Sequence, residues 1–417
     1  MSQVQPPPKT FAGILKQLGP GLIISANIVG SGELIVTTKL GAKVGFTLLW
    51  FIIFGCVIKV FLQVELGRYS ISKGKTALDA MNSVPGPRFK VSWLVWCWVI
   101  MFVATFFQVS GMVGALIGVF RMGGVSIADS AIVLCIVGSC AIMLFIGRYQ
   151  FVERFATTMV AIFTIFTICA VFSLNWTDYG IKASDLLEGL SFDLPDSTTT
   201  AFAAFGVIGV GASELIFYPI WCLEKGYGRH VGPNDGSEAW KERAQGWMHV
   251  LRCDAWVSMV IYTGATVAFY LLGAAVLHGK GLEVSNTDLM PTLSNIYSES
   301  FGNPGLWIFI VGAFIVLYST VFISTASNAR LATDLARLLK VGRLDTPEQK
   351  AKAVKLASVL IPVLYFIFYT AIPEAVTLVL IGALAQALML PFLCFAALYF
   401  LYRDTEPGLK PGRVWII

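Results

Sequence analysis

Long apolar segments follow one another along the chain, and each is close to the length that a helix needs to cross a bilayer. A helix rises by about 1.5 Å per residue, so about 20 apolar residues span the hydrocarbon core. The apolar segments cover residues 12–40, 44–67, 92–120, 127–147, 154–174, 199–223, 253–277, 304–332, 354–371 and 374–402. The pattern predicts an all-α polytopic membrane protein with ten spans.

Two of these spans are interrupted by nearly the same short sequence. It reads VGSGELI at Val29–Ile35 and VGASELI at Val210–Ile216. Each interruption places one Glu and several small residues in the middle of an apolar helix. A charge near the bilayer centre costs at least about 2.5 kcal/mol, and Gly and Ser weaken the helix there. Paired interruptions at matching positions of two halves are typical of the binding site of a secondary transporter.

The two interruptions lie in spans one and six, and five spans separate their starts. Because five is odd, the second copy crosses the membrane in the opposite sense. This predicts a LeuT-type fold of two inverted repeats of five helices, with spans one and six broken at the midplane. The predicted divisions are a cytoplasmic tail at 1–10, a first repeat at 11–180 and a second repeat at 199–402. Residues 403–417 form either a second cytoplasmic tail or the start of an eleventh span.

Composition and charge fit an integral membrane protein whose surroundings are the lipid bilayer. The chain is 56% hydrophobic, with a mean hydropathy of +0.75. Most Lys and Arg residues fall in segments on the side of the N-terminus, so the positive-inside rule predicts a cytoplasmic N-terminus. The expected location is a bacterial inner membrane. The N-terminus lacks the features of a signal peptide. The net charge of +5 needs no nucleic acid to explain it.

Several kinds of chemistry are not expected. No G-x-x-x-x-G-K-[ST] motif occurs, so the chain does not hydrolyse ATP through a P-loop. The eight cysteines lack C-x-x-C spacing, which argues against a disulfide framework or a soft-metal site. No nucleophile, base and oxyanion donors can be placed together. We therefore expect neither an enzyme nor a resident cofactor.

The interruptions supply oxygen atoms. Broken helices expose backbone carbonyls, and Glu33 and Glu214 add carboxylates, so the two breaks suit a cation and predict that both Glu residues ligate a metal. An all-oxygen site favours a hard ion such as Mg²⁺ or Mn²⁺. The predicted substrate-binding residues are Gly30, Ser31, Glu33, Gly211, Ser213, Glu214 and Gln386. The alternative is that each Glu only caps the half-helix that follows it.

Span eight carries a stripe of hydroxyl and amide side chains that includes Ser324 and Thr325. In one interpretation, these hydroxyls and the carbonyls of span one together form a Na⁺ site. Hydrogen bonding between helices explains the same residues equally well. A coupling-ion site at Ser324 and Thr325 is therefore one hypothesis of two.

Several motifs resemble the Nramp family of divalent metal transporters, and the resemblance covers nearly the whole chain. They include Gly19-Pro20-Gly21, the run from Gly41 to Trp50, and Asp254 at the start of span seven. The others are Gly147-Arg148-Tyr149 with Glu153-Arg154, the run from Gly273 to His278, and Leu390-Pro391-Phe392. The resemblance implies an alternating-access transporter, usually a proton-coupled importer of Mn²⁺ or Fe²⁺.

The chain departs from that family at the metal ligands. The family's D-P-G-N is Gly30-Ser31-Gly32-Glu33 here, and its M-P-H falls at about Ser213-Glu214-Leu215. The family's acidic residues of span three align with Met112 and Ala115. Related branches that lack the Met are similar to Nramp and look adapted to harder ions such as Mg²⁺.

The leading hypothesis is thus a secondary transporter of a divalent cation, with protons or Na⁺ as the coupling ion. A symporter of a small organic solute, such as an amino acid or amine, is the first alternative. A sensor or scaffold that transports nothing is the second.

Overall fold

The computed structural model describes residues 4–146, 149–193, 198–286, 288–302, 304–412 and 415. Two residues of one predicted motif, Gly147 and Arg148, lie outside this part. So do the side chains of Ser31, Tyr149, Ala156, Val160, Phe163 and residues 198–200.

Within the described residues, ten helices are long and apolar enough to cross a membrane, which confirms the predicted number of spans. Spans one to five are Pro20–Val44, Leu49–Lys73, Trp93–Met122, Asp129–Ile146 and Tyr149–Ser173. Span six consists of Thr198–Val207 and Ala212–Lys225, which we call half-helices 6a and 6b. Spans seven to ten are Glu238–His278, Gly305–Leu338, Pro347–Ala371 and Ala375–Asp404.

Short elements connect the spans. The α-helices among them are Phe11–Gln17, Ala77–Ser83, Ala183–Gly189, Tyr227–Val231 and Leu289–Phe301. Two 3₁₀ turns cover Leu174–Trp176 and Pro407–Leu409. A small antiparallel pair joins Arg88–Phe89 to Val91–Ser92.

Span one begins later than the predicted residue 12. A separate helix, Phe11–Gln17, is capped by the Thr10 hydroxyl, and span one starts only at Pro20. Proline is suited to the first helical position because its missing N–H has no partner there. The carboxylate of Asp254 accepts the N–H groups of Gly19 and Gly21 at 2.9 and 2.7 Å. A buried acid on span seven therefore fixes the first turn of span one.

The predicted gap in span one is absent, so this part of the prediction is wrong. Residues Val29–Thr37 form a π-helical segment that joins two α-helical parts without unwinding. The Thr37 and Thr38 hydroxyls donate to the carbonyls of Gly32 and Glu33 at 2.9 and 3.2 Å. The wider turn and the threonines satisfy carbonyl groups that a break would leave without hydrogen-bond partners in the protein interior.

Span six is broken as predicted. Half-helix 6a ends at Val207, residues 208–211 are not helical, and 6b begins at Ala212. Gly209 has φ +58°, and a Cβ there would lie 2.8 Å from Sγ of Cys56. Only glycine fits this left-handed, crowded position without strain. The two similar seven-residue sequences, Val29–Ile35 and Val210–Ile216, which we call the two words, thus fold differently. The first lies in a π-helix, and the second follows a break.

Spans one, three and six are the most buried of the ten, whereas spans four, five and nine present most of their apolar side chains outwards. The π segment packs against 6a, and the first part of span one packs against 6b. Spans three, eight and ten surround this pair. Polar side chains concentrate at the interrupted helices, and this arrangement positions the site.

The polypeptide folds back on span two after span ten. Nε1 of Trp415 donates to Glu65 at 2.7 Å, and its ring packs on Phe61. The prediction of a tail or an eleventh span for 403–417 stays open.

Candidate functional site

A small polar cavity lies beside the break in span six, near the middle of the buried helices. Its volume is about 10 Å³, on the order of one water-sized sphere. Its polar lining comes from spans one, three, six, eight and ten. These side chains are Asn27, Thr105, Gln108, Ser213, Glu214, Ser324, Asn328 and Gln386. Met112, Val109 and Phe217 complete the wall.

Glu214 is the one carboxylate among the described lining residues. It is 6% exposed and lies in the first turn of 6b. The amide of Asn27 donates to its Oε1 at 2.6 Å, and the Ser324 hydroxyl donates to Oδ1 of Asn27 at 2.7 Å. A chain of hydrogen bonds therefore runs from span eight through span one to the acid of span six.

Gln386 of span ten holds the other side of the break. Its Oε1 accepts the N–H of Ser213 at 2.9 Å, and its amide donates to Gln108 at 2.7 Å. A Cβ on Gly211 would lie 2.5 Å from Oε2 of Glu214 and 2.6 Å from Oε1 of Gln386. Glycine at 211 therefore allows the backbone of the break to approach both side chains.

Two buried oxygens of this cavity, Ser213 Oγ and Asn328 Oδ1, have no hydrogen-bond partner among the described residues. Buried polar atoms are rarely left unsatisfied, and such exceptions often mark the place of a missing ligand. In the described part of the chain, His, Cys, Asp and Glu do not form a group of three or more able to hold a metal. A cation here would be held by one carboxylate and several neutral oxygens.

Glu33 is fully buried, but it is not among the described residues that line this cavity. Its Oε1 accepts the N–H of Gly209 at 3.2 Å and the Thr266 hydroxyl at 2.5 Å. Its Oε2 has no partner among the described residues. Glu33 thus binds the unwound segment of span six at Gly209. The structure does not bring it into the cavity beside Glu214.

The other predicted residues divide in the same way. Ser213, Glu214, Ser324 and Gln386 line the cavity, and Gly211 adjoins it. Gly30 instead packs against Thr320 of span eight. Thr325 donates to Val321 of its own helix at 2.6 Å, and the side chain of Ser31 lies outside the described part of the chain.

Asn27 is a site residue that sequence reasoning missed. It is 2% exposed and lies one helical turn before Gly30. An amide within a span is unfavourable without a partner. An amide side chain in this apolar helix is therefore a signal in the sequence, but it lies outside the seven-residue segment Val29–Ile35.

Comparison with known proteins gives a family and a fold. A family model described as "natural resistance-associated macrophage protein-like" (Nramp) matches residues 21–409. The divalent metal cation transporter MntH of Bacillus subtilis is 25% identical over 281 residues, which are 67% of this chain. The matched part covers 62% of that relative's length.

Solved structures of low sequence identity show the same fold. A mutant of the Eremococcus coleocola manganese transporter has a TM-score of 0.69 at 14% identity, covering 99% of this chain and 85% of that one. Mhp1, a nucleobase-cation-symport-1 family transporter, has a TM-score of 0.58 at 15% identity, covering 95% and 82%. These similarities confirm the predicted LeuT-type fold.

Proposed function

The chain belongs to the Nramp family, and from this premise we propose that it is a secondary transporter which carries a divalent metal cation by alternating access, bound at Glu214. The relatives support the substrate class, since they are named divalent metal cation transporters. The proposed location is a bacterial inner membrane, with the N-terminus in the cytoplasm.

The observation that carries this proposal is the cavity at the break. It combines one buried carboxylate with the unpartnered oxygens of Ser213 and Asn328. A divalent cation satisfies such oxygens and neutralises the carboxylate at the same time. A volume of about 10 Å³ accommodates a dehydrated ion, but not an amino acid in this conformation. The geometry therefore favours the metal over the organic solute.

Oxygen ligands suit Mg²⁺ and Mn²⁺. Asn27, Ser213, Asn328 and Gln386 supply neutral oxygens, which support a hard ion. We propose Glu214 as the direct carboxylate ligand. Glu33 as a second ligand stays a prediction, and the unpartnered Oε2 of Glu33 is the atom that would serve.

Two further cavities support alternating access. One of about 350 Å³ lies on the N-terminal side, and one of about 190 Å³ lies on the opposite side. Neither shares a described lining residue with the central cavity. On 6b, Phe217 lines the centre and Ile220 the N-terminal cavity. On span three, Met112 lines the centre and Ala115 the opposite cavity. A barrier about one helical turn thick therefore closes each side.

The nature of the coupling ion stays a prediction. Proton coupling is what family membership suggests, and the Na⁺ hypothesis involves Ser324 and Thr325. Ser324 already donates to Asn27, and Thr325 bonds within its own helix. Uptake into proteoliposomes under a proton gradient or a Na⁺ gradient, each applied separately, distinguishes the two.

The test of the proposed function is Mn²⁺ and Mg²⁺ uptake by proteoliposomes. Glu214→Gln keeps the size of the side chain and an oxygen for Asn27, but it removes the charge. We expect uptake to fall by about tenfold or more. Glu188→Gln, an exposed acid in a connecting helix, is the matched control and should transport normally.

The organic-solute alternative is examined in the same vesicles with amino acids and amines. Uptake of one of these without uptake of any divalent ion would replace our proposal. Absence of all uptake by correctly folded protein would favour the sensor or scaffold.

A further inference from the structure

A buried lysine lies in the middle of span two. Lys59 is 1% exposed, and its Nζ donates to the carbonyl of Ile208 at 2.7 Å and also to the carbonyl of Phe205. The same ammonium lies 4.6 Å from the centroid of the Phe205 ring. A lysine in the interior of a membrane protein is unfavourable unless it has such partners.

The two carbonyls belong to the place where half-helix 6a stops. The last turn of a helix leaves carbonyl groups without intrahelical partners, and these carry the partial negative charge of the helix dipole. In a broken membrane helix, this carbonyl end is a ready cation site. Here the ammonium of Lys59 already fills it.

Glu33 binds an N–H group of the same break, whereas Lys59 binds its carbonyl groups. Its carboxylate accepts the N–H of Gly209, one residue after the carbonyl of Ile208 that Lys59 binds. Lys59 also interacts electrostatically with the carboxylates of Glu33 and Glu214. The unwound segment thus lies between the ammonium of Lys59, which binds its carbonyls, and the carboxyl group of Glu33, which binds its N–H. Lys59 therefore stabilises the carbonyl side of the break without an added ion.

We propose that Lys59 is a tethered cation that occupies the carbonyl end of half-helix 6a, where a free monovalent cation would otherwise bind. Lys59 is a positioning residue, since it acts by holding the unwound segment that leads into half-helix 6b and Glu214. Its part in transport rests on the proposed function, but its occupation of the cation site does not. The protein therefore needs no Na⁺ or K⁺ to hold the break in place.

The experiment removes the ammonium and supplies a free cation. Lys59→Ala leaves an empty space beside the carbonyls, whereas Lys59→Met fills the space without a charge. Purified protein is heated with Na⁺, K⁺ or methylammonium, with choline as the large cation that cannot enter. We expect Lys59→Ala to lower the midpoint temperature by several degrees, and a small cation to restore it saturably. Lys59→Met should show no such rescue.

Cys56→Ala provides the matched control for loss of packing. Cys56 lies one turn earlier on span two, is fully buried and also faces the break beside Gly209. Its truncation makes a small space without removing a charge, so small cations should not stabilise this variant more than choline does. Equal rescue of Cys56→Ala and Lys59→Ala would overturn the proposal.

Uptake measurements give the second arm. Divalent-ion uptake by Lys59→Ala should fall by about tenfold, since hydrogen bonds to a charged group are lost, and methylammonium should restore at least part of it. Wild-type protein should be equally stable to heat in Na⁺, K⁺ and choline buffers. Thermal rescue without any wild-type uptake would reject the proposed function and keep the tethered cation. Wild-type uptake without rescue of Lys59→Ala by any small cation, in heat stability or uptake, would reject the tethered cation alone.

Discussion

Gly30 stands where the resemblance places an Asp ligand, and its surroundings explain the glycine. A Cβ on Gly30 would clash with the hydroxyl of Thr320, would lie 2.6 Å from Cβ of Thr320 and would lie 3.0 Å from the carbonyl of Val316. The lack of a side chain lets span one approach span eight. Gly30 thus contributes close packing, and an Asp at this position would not fit this arrangement.

Substitution of Gly30 should therefore destabilise the protein. We expect Gly30→Ala to cost about 1–3 kcal/mol, as overpacking typically does, and Gly30→Asp to cost more. The midpoint of thermal unfolding in detergent measures the effect. Gly138→Ala is the control, because a Cβ on this helical glycine of span four meets no atom within 4 Å. It should be neutral or slightly stabilising. An unchanged midpoint for Gly30→Ala would contradict the packing role.

Met112 places a thioether in the wall of the central cavity, although neither sequence word contains a Met. Thioether sulfur interacts better with soft ions than with hard ones. We expect Met112→Ala to weaken competition by Cd²⁺ for Mn²⁺ uptake several-fold, with little effect on competition by Mg²⁺. Met101→Ala, which removes a thioether from a different cavity on the same span, should change neither. Equal losses for Cd²⁺ and Mg²⁺ would show that Met112 acts only through packing.

The residue types in the two words located the break in span six and the cavity lined by Ser213 and Glu214. They did not predict that Glu214 lines the cavity while Glu33 does not, because that depends on which helix each carboxylate faces. Lys59 was visible within a span, but its carbonyl partners lie about 150 residues away in the chain. Side-chain partners at such separations follow from tertiary packing, which local sequence patterns do not contain.

The two interrupted spans show how far local sequence determines an interruption. Gly-Ser-Gly-Glu and Gly-Ala-Ser-Glu differ little, yet the first lies within a continuous π-helix and the second begins half-helix 6b after the break. In span one, Thr37 and Thr38 follow the word and donate to carbonyls within it. At the corresponding place, span six has Tyr218 and Pro219. The residues that flank each word, Gly209 before the second and the two threonines after the first, therefore favour different backbones.

Removal of these threonine hydroxyls tests the stability of the π segment. Thr37→Val and Thr38→Val keep the shape of each side chain and leave the carbonyls of Gly32 and Glu33 without that donor. We expect each substitution to destabilise the protein by about 1 kcal/mol, measured by thermal unfolding. Thr370→Val removes an exposed hydroxyl bonded to Phe366 in a regular helix and should change stability little. Neutral Thr37 and Thr38 variants would show that the π segment depends on packing alone.

The predicted ten spans and LeuT-type fold are confirmed because they depend on long apolar runs and on the parity of the two words. The bounds depend on less visible features. Span seven begins at Glu238 rather than the predicted residue 253, since its first turns carry charged residues and extend beyond the apolar run. The helix start is set by the Ser237 cap, whose hydroxyl accepts the N–H of Trp240. Hydropathy predicts the apolar part of a helix better than its full length.

Ion pairs join half-helix 6b to its neighbours on the N-terminal side of the central cavity. Arg330 of span eight forms two hydrogen bonds with Glu224 at 2.5 and 2.9 Å, and Lys225 binds Glu153 of span five at 2.6 Å. Arg330 and Glu224 both line the cavity of about 350 Å³ on that side. Opening a path from Glu214 to this side requires 6b to move away from span eight. These pairs therefore stabilise the conformation that is closed on the N-terminal side.

Charge reversal at Glu224 and Arg330 tests whether this pair acts as a gate, that is, whether it controls opening on the N-terminal side, and distinguishes that role from a general effect on stability. Glu224→Arg and Arg330→Glu each place like charges at the contact, so each should shift the population towards the open side and slow uptake several-fold. The double variant restores the pair with reversed charges and should recover most of the rate, with a coupling energy of about 1 kcal/mol or more. The same reversal at the exposed pair Glu238–Lys241 should change nothing. If the double variant is as slow as the product of the two single effects, the pair does not act as a gate, and closure of 6b then depends on apolar packing around Phe217 and Ile220.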